Sequence, residues 1–279
     1  MNVSLTLDKP SYTLGETILA TIKATNDGKS PIPATKPKFD LASVGFILQR
    51  DKSAPTPESC LVRFGQANEQ VTLKPGESVS GQIELLACEP GSFTLIAMYG
   101  HNGAWTPGYA KSSATKSNLI NFKVAPAQKG QRMRVQLTTQ AGPMSLIFFP
   151  ERAHNHVLSF LQLAKKGYFN GIKFHRVVPN FVIQGGDPTG TGTGGPGYAL
   201  PAEFNEIKHV PGILSMARKP DPHSAGSQFF VCTAVTPNLD NSYTVFGQVE
   251  AGMDAVQKIG ASESNAGKFS MQKAEVSVS

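Results

Sequence analysis

The 279-residue chain is short of cysteine (three), tryptophan (one) and charge (16% of residues), and no apolar run approaches the ~20 residues of a membrane-spanning helix. Each shortage excludes something. Three cysteines cannot build a disulfide framework or a paired CxxC metal site. Cys60 and Cys88 could pair within the first half, whereas Cys232, after Phe-Phe-Val, reads as a small buried apolar residue. The net charge of +6 divides into 12 Lys/Arg against 10 Asp/Glu up to Pro126 and 14 against 10 beyond it. Neither half carries the basic field of a nucleic-acid binder, and neither nucleic acid nor membrane is expected as a partner. Met1-Asn-Val-Ser-Leu lacks the charged start and apolar core of a secretion leader. A chain starting natively at Met1 is expected in the cytoplasm; one trimmed of a leader would be periplasmic or secreted.

What the chain does have is 40% hydrophobic residues and enough length for two cores. Residues 1–125 alternate apolar and polar positions: Val3, Leu5 and Leu7; Ile18, Ala20 and Ile22; Ile83 and Leu85; Phe93, Leu95 and Ala97; Ile120, Phe122 and Val124. Turn chemistry such as Asp27-Gly28, Lys74-Pro75-Gly76 and Asn102-Gly103 separates them, the spacing of an all-β sandwich. Residues 126–130 have linker composition, and a fresh alternating strand opens at Met133. Further on, Val157, Phe160, Leu161 and Ala164 recur at helical spacing before Gly167, and Met253, Val256 and Ile259 suggest a second, shorter helix before Gly260.

The most informative stretch is 174–187, Phe-His-Arg-Val-Val-Pro-Asn-Phe-Val-Ile-Gln-Gly-Gly-Asp. It sets Arg176 between apolar strand patterns, where a guanidinium, which cannot lose its charge, must find a polar partner or a ligand. A second block, Gly226-Ser-Gln-Phe-Phe-Val-Cys-Thr233, adds an apolar strand that begins with another amide, Gln228. Strand alternation puts Val182 with Gln184, and Gln228 with Phe230, so each strand offers an apolar and an amide side chain together.

These blocks, with Glu203-Phe204, Leu239-Asp240 and Val245-Phe246-Gly247 in order around them, closely resemble the signatures of the cyclophilins, the peptidyl-prolyl cis/trans isomerases, from about Gln131 onward. The resemblance implies a closed eight-stranded antiparallel barrel capped by two helices over 131–279. The chain is then mainly β, with an immunoglobulin-like β-sandwich, more loosely resembled, at 1–125. It implies catalysis of X-Pro rotation without a cofactor or metal, on proline-containing peptides and folding proteins. Arg176, Gln184 and Phe230 would be catalytic, Arg176 hydrogen-bonding the prolyl nitrogen as conjugation is lost. Phe181, Val182 and Leu239 would line the proline slot with Phe230; Gln184 and Gln228 would hold peptide groups; Gly192, Ala217 and Arg218 would flank the residues before proline. His175 is expected to pack away from the slot.

Two departures stand out. Asn238 lies where many eukaryotic cyclophilins have tryptophan, and Tyr243 where they have a rim histidine, so isomerase activity with weak cyclosporin binding is expected. Lys219 lies where a small residue is usual. Other readings of the same residues fail on context. Gly190-Thr-Gly-Thr-Gly-Gly195 satisfies GxGxxG but precedes Pro-Gly rather than a helix, and reads as a flexible surface loop. His154 and His156 are two apart, not four, and suit no helical metal site. His223, Ser224 and Ser227 lack a nucleophile elbow. Trp105, Tyr99 and Tyr109 read as loop or core packing. The live alternative is a catalytically weak proline-peptide binding module with the sandwich as its main recognition domain.

Overall fold

A computed structural model describes residues 1–37, 44–50, 63–64, 70–99, 115–126 and 128–279. Cys60, Trp105, Tyr109 and the Asn102-Gly103 turn lie outside them. The chain divides into two compact units, 1–127 with 197–199, and 128–196 with 200–279.

In the first unit, β1 (Asn2–Leu7), β3 (Thr17–Thr25) and β8 (Ser78–Leu86) form one antiparallel sheet. The second contains β2 (Ser11–Thr13), β10 (Thr115–Ala125), β9 (Gly91–Tyr99) and β5 (Val44–Arg50), with β2 parallel to β10. Two-stranded pieces come from β4 (Ile32–Thr35) with β7 (Gln70–Leu73) and from β6 (Arg63–Phe64) with β15 (Tyr198–Ala199). The period of two resolves as read: Val3, Leu5, Ile18, Ala20, Ile22, Ile83 and Leu85 are buried from one sheet, and Phe93, Leu95, Ala97, Phe122 and Val124 from the other. Tyr99 is also core, and its hydroxyl bonds the backbone of Thr35 in both directions.

The second unit is an eight-stranded antiparallel sheet in the order β13 (Arg176–Val178), β14 (Val182–Gly185), β17 (Phe229–Cys232), β16 (Ile213–Met216), β18 (Val245–Ala251), β12 (Gly142–Phe148), β11 (Met133–Thr139), β19 (Met271–Val278). Its edges meet where Lys173 bridges Ser270 and where Phe174 N–H donates to the Phe269 carbonyl, which curls the sheet into a barrel. Val135, Leu137, Ile183, Leu214, Phe229 and Val231 fill its interior.

Helix α1 (His154–Lys165) plugs that interior with Phe160, whose ring lies 4.7 Å from Phe169, 5.2 Å from Phe229 and 5.4 Å from Phe246. Gly167, at φ +71°, ends the helix in the left-handed conformation that a side chain would disfavour. Helix α2 (Met253–Gly260) buries Val256 and Ile259; Gly260 lies inside it rather than after it, because a Cβ there would come within 2.8 Å of Thr233.

The start of α1 has no acceptor of its own, since Ala153 occupies the cap position. Glu203, 48 residues away from Asn155, supplies one. Its carboxylate accepts from Asn155 N (3.0 Å), Asn155 Nδ2 (2.8 Å) and His156 N (3.1 Å), and meets His156 Nδ1 at 2.5 Å. The paired signature Glu203-Phe204 is thus partly a helix cap delivered from a distant loop. Glu203→Ala strands those donors in a buried setting, combining a lost cap with unsatisfied polar groups. It should lower stability by about 2–4 kcal/mol, read as a fall in the urea midpoint at constant slope.

Candidate active site

Antiparallel register decides which side chains meet. It sets Arg176 opposite Gln184, Gln184 opposite Phe230, and Phe230 opposite Ser215. Directly opposed residues share a face, so these four form one row across β13, β14, β17 and β16. The intervening positions Val177, Ile183, Val231 and Leu214 point into the barrel, which leaves the row on the outside.

The polar half of the row is a directed chain of hydrogen bonds. Arg176 Nη1 donates to Gln184 Oε1 at 3.3 Å, and Gln184 Nε2 donates to Gln228 Oε1 at 3.0 Å. Gln228 Nε2 then donates to the carbonyls of Gly192 and Gly194, each at 2.9 Å. The two glycines are held in turn, through their N–H groups, by Asp187. Its carboxylate, 1% exposed, accepts from Thr189 N (2.7 Å), Thr189 Oγ1 (2.8 Å), Gly192 N (2.6 Å) and Gly194 N (3.2 Å). Burial would raise its pKa, but the hydrogen bonds from Thr189, Gly194 and Gly192 outweigh that and hold it at about 2. A Cβ at residue 194 would stand 2.1 Å from Asp187 Oδ1, so the loop closes on the carboxylate only with glycine there.

The apolar half is a cluster around Phe230 (4% exposed) and Leu239 (7%), with the half-buried Phe181, Ala217 and Tyr243 packed against it. Val182 belongs to the cluster at 1% exposed, so it forms the floor beneath the slot rather than its surface. Tyr243 presents its ring at 5.7 Å and 81° to Phe230, and His209 lies on the other side at 6.0 Å and 22°. His209 Nδ1 is 3.0 Å from Asp240 Oδ1 and Nε2 is 3.0 Å from Ser215 Oγ, which ties the back of Phe230 into a polar network. Burial lowers the His209 pKa while Asp240 opposes it. The Asp240 carboxyl itself is held at about 2 by the backbone N–H of His209, its ring and Lys208. His175 is half-buried, and burial holds its pKa below the ordinary value.

Arg218 is used differently from Arg176. Nε and Nη2 donate to the Ser242 carbonyl (3.1 and 2.9 Å), and Nη1 donates to the carbonyls of Lys219 (3.0 Å) and Pro220 (3.1 Å). Its guanidinium carbon lies 4.8 Å from the centre of the Tyr243 ring and 5.9 Å from that of Phe204. Among the described residues neither arginine forms an ion pair. Asn238, in the 3₁₀ turn Pro237–Leu239, is exposed.

Of the row, the sequence singles out Arg176, Gln184 and Phe230 but not Ser215, and the structure brings Arg176, Gln184, Gln228, Gly192 and Phe230 into one connected set. Phe181, Val182, Ala217, Leu239 and Tyr243 surround Phe230. Two features escape sequence reading. The glycine-threonine loop, read as flexible, is pinned by Asp187, and the signal was an acid directly before a run of small residues, the setting for side-chain-to-backbone turns. The His209–Asp240 pair left no local pattern, since 31 residues separate its members.

Residues 134–278 match the family model for cyclophilin type peptidyl-prolyl cis-trans isomerase/CLD. A peptidyl-prolyl cis-trans isomerase of Synechococcus elongatus is 48% identical over 114 residues, covering 41% of this chain and 78% of that protein. The Arabidopsis thaliana isomerase CYP18-2 is 41% identical over 138 residues, covering 48% and 84%. A solved cyclophilin-type isomerase from Cryptosporidium parvum superposes with a TM-score of 0.49 at 30% identity, covering 52% of this chain and 97% of that one. By the family model, which spans more than half of it, and by the Synechococcus and Arabidopsis relatives, the chain belongs to the cyclophilin-type peptidyl-prolyl cis-trans isomerases.

Proposed function

We propose that the second unit accelerates X-Pro isomerisation in peptides and folding chains, with Arg176 as the group that acts on the prolyl nitrogen. The observation that carries this is the row Arg176–Gln184–Phe230, a guanidinium free of ion pairs beside an apolar cluster on the outer face. The barrier to rotation, ~18–20 kcal/mol, arises because the nitrogen lone pair is shared with the carbonyl. Twisting localises that pair, and the nitrogen then accepts a hydrogen bond it could not accept when planar. A donor fixed at that point binds the transition state better than the ground state.

Magnitudes limit what Arg176 does alone. A charge-assisted hydrogen bond contributes ~1.5–3 kcal/mol, while raising a rate from ~0.01 to ~1,000 per second needs about 7 kcal/mol. The remainder falls to Phe230, Phe181, Leu239 and Tyr243, which hold the ring out of water over Val182, and to the anchoring of neighbouring peptide groups by Gln184, Gln228 and the backbone at Gly192, Ala217 and Arg218. The same reading treats 1–125 as a separate sandwich domain of immunoglobulin type joined through 126–130 to an isomerase domain at 131–279. The division between compact units near residue 127 supports it.

Arg176→Ala should lower kcat about 10- to 100-fold with little change in KM in a proline-peptide isomerisation assay, the loss of one transition-state hydrogen bond. Equal, low rates in both proteins would leave only a proline-binding module. Cyclosporin should bind weakly by titration calorimetry, because Asn238 offers neither an indole donor nor its apolar area. Acid should reach the site through Asp187. Its folded pKa lies below the ordinary 3.8, so the stabilisation it gives is complete above about pH 4 and lost as pH falls toward 2. Unfolding followed across that range should show Asp187→Asn with a shallower dependence than the wild type; Asp240, held equally low, keeps it from becoming flat.

A further inference from the structure

Beyond Tyr243 lies the cation of Arg218, with the exposed Lys219 next to it in the chain, and no carboxylate among the described residues forms an ion pair with either. The acids near them in the chain or the fold are paired or capped elsewhere, except Asp221, which is exposed two residues from Lys219, accepts only a backbone N–H and keeps its charge. Glu203 holds the start of α1, Glu206 pairs with Arg152 at 3.1 Å, Asp240 with His209 and Lys208, and Asp221 accepts from the backbone N–H of His223. Arg218 is locked by four hydrogen bonds to three carbonyls and by the Tyr243 and Phe204 rings, so its charge is fixed in place rather than waving in solvent. One Nη2 hydrogen remains undonated. Lys219 is exposed, its backbone N–H donates to Ser224 Oγ, and its ammonium has no partner among the described residues.

We infer that Arg218 and Lys219 form a carboxylate-selecting wall, which makes the preferred substrates peptides with an acidic side chain close to the isomerising proline. This rests on the isomerase reading and adds a substrate class to it. Geometry limits the reach. Phe230 to Tyr243 is 5.7 Å and Tyr243 to the guanidinium carbon 4.8 Å, so the charge lies within about three residues of extended chain from the slot, at ~3.3–3.6 Å per residue. An exposed pairing of this kind is modest and screened by salt, whereas a preorganised guanidinium loses little freedom on pairing.

The test is a protease-free NMR exchange assay on peptides with one proline and either Glu or Gln at each of the three positions on either side of it. At one or two adjacent positions the wild type should turn over the Glu peptide about two- to five-fold faster in kcat/KM than its Gln partner. That ratio should shrink toward one in 0.5 M salt. Lys219→Gln should reduce it and Arg218→Gln/Lys219→Gln should abolish it, with the Gln peptide as the internal reference in each protein. Lys219→Glu, which leaves the Arg218 stack untouched, should invert it. Ratios near one at every position in the wild type, or a preference that survives both the double variant and Lys219→Glu, overturn the inference. Failure to turn over the Gln peptides as well would overturn the isomerase reading itself, and the two failures are thereby told apart.

Discussion

A guanidinium keeps its charge at any accessible pH, and what surrounds it decides whether it becomes scaffold or reagent. The two arginines beside the Phe230 cluster divide along that line. Arg218 gives four of its five donors to backbone carbonyls and lays its face on Tyr243, which makes it part of the wall. Arg176 gives a single, long hydrogen bond to Gln184, and its remaining donors have no partner among the described residues. One bond is enough to aim it, because Gln184 is itself fixed by Gln228, Gln228 by two glycine carbonyls, and the glycines by a buried carboxylate. Each link donates in the same direction, so turning any amide over would break contacts on both its sides.

The barrel makes such a chain affordable in conformational terms. Register is held by interior packing, and a one-residue slip of β14 would send Ile183 outward and Gln184 into a greasy interior. Phe160 from α1 occupies the centre of that interior among Phe169, Phe229 and Phe246, so the helix and the strands bearing the row share one packed cluster. Phe229 faces inward and Phe230 outward on consecutive positions of β17. The first packs with Phe160 and Phe169 in the core, the second with Leu239 and Tyr243 in the outer cluster.

Much of this was legible in the chain because alternation carries it. The strands around Val3, Ile18, Ile83, Phe93, Phe122 and Met133 and the two helices follow from period, and the grouping of Arg176, Gln184, Gln228 and Phe230 from ordered signature blocks. What escaped were contacts set by tertiary approach. Nothing local says that Glu203 caps a helix 48 residues earlier, that His209 meets Asp240 behind Phe230, or that the glycine-rich loop closes on Asp187. The side chain of Arg218 was the sharpest case. The resemblance implied only that it flanks the residues before proline, yet the structure uses its guanidinium, because the carbonyls of Ser242, Lys219 and Pro220 converge on it only once two loops are folded together.

That convergence bears on the proposed reaction. Asn238 is exposed and offers little apolar area, and most of the rate would have to come from holding the ring and its flanking peptide, since one hydrogen bond covers less than half of about 7 kcal/mol. The stack of Phe204, Arg218 and Tyr243 supplies a wall of another kind. An aromatic ring pinned by a cation on one face and set edge-on to Phe230 keeps its position without an indole behind it. In the proposed reaction such a wall would leave the ring to Phe230, Leu239 and Phe181, and the inferred carboxylate preference would move discrimination outward, to charges on residues beside the proline.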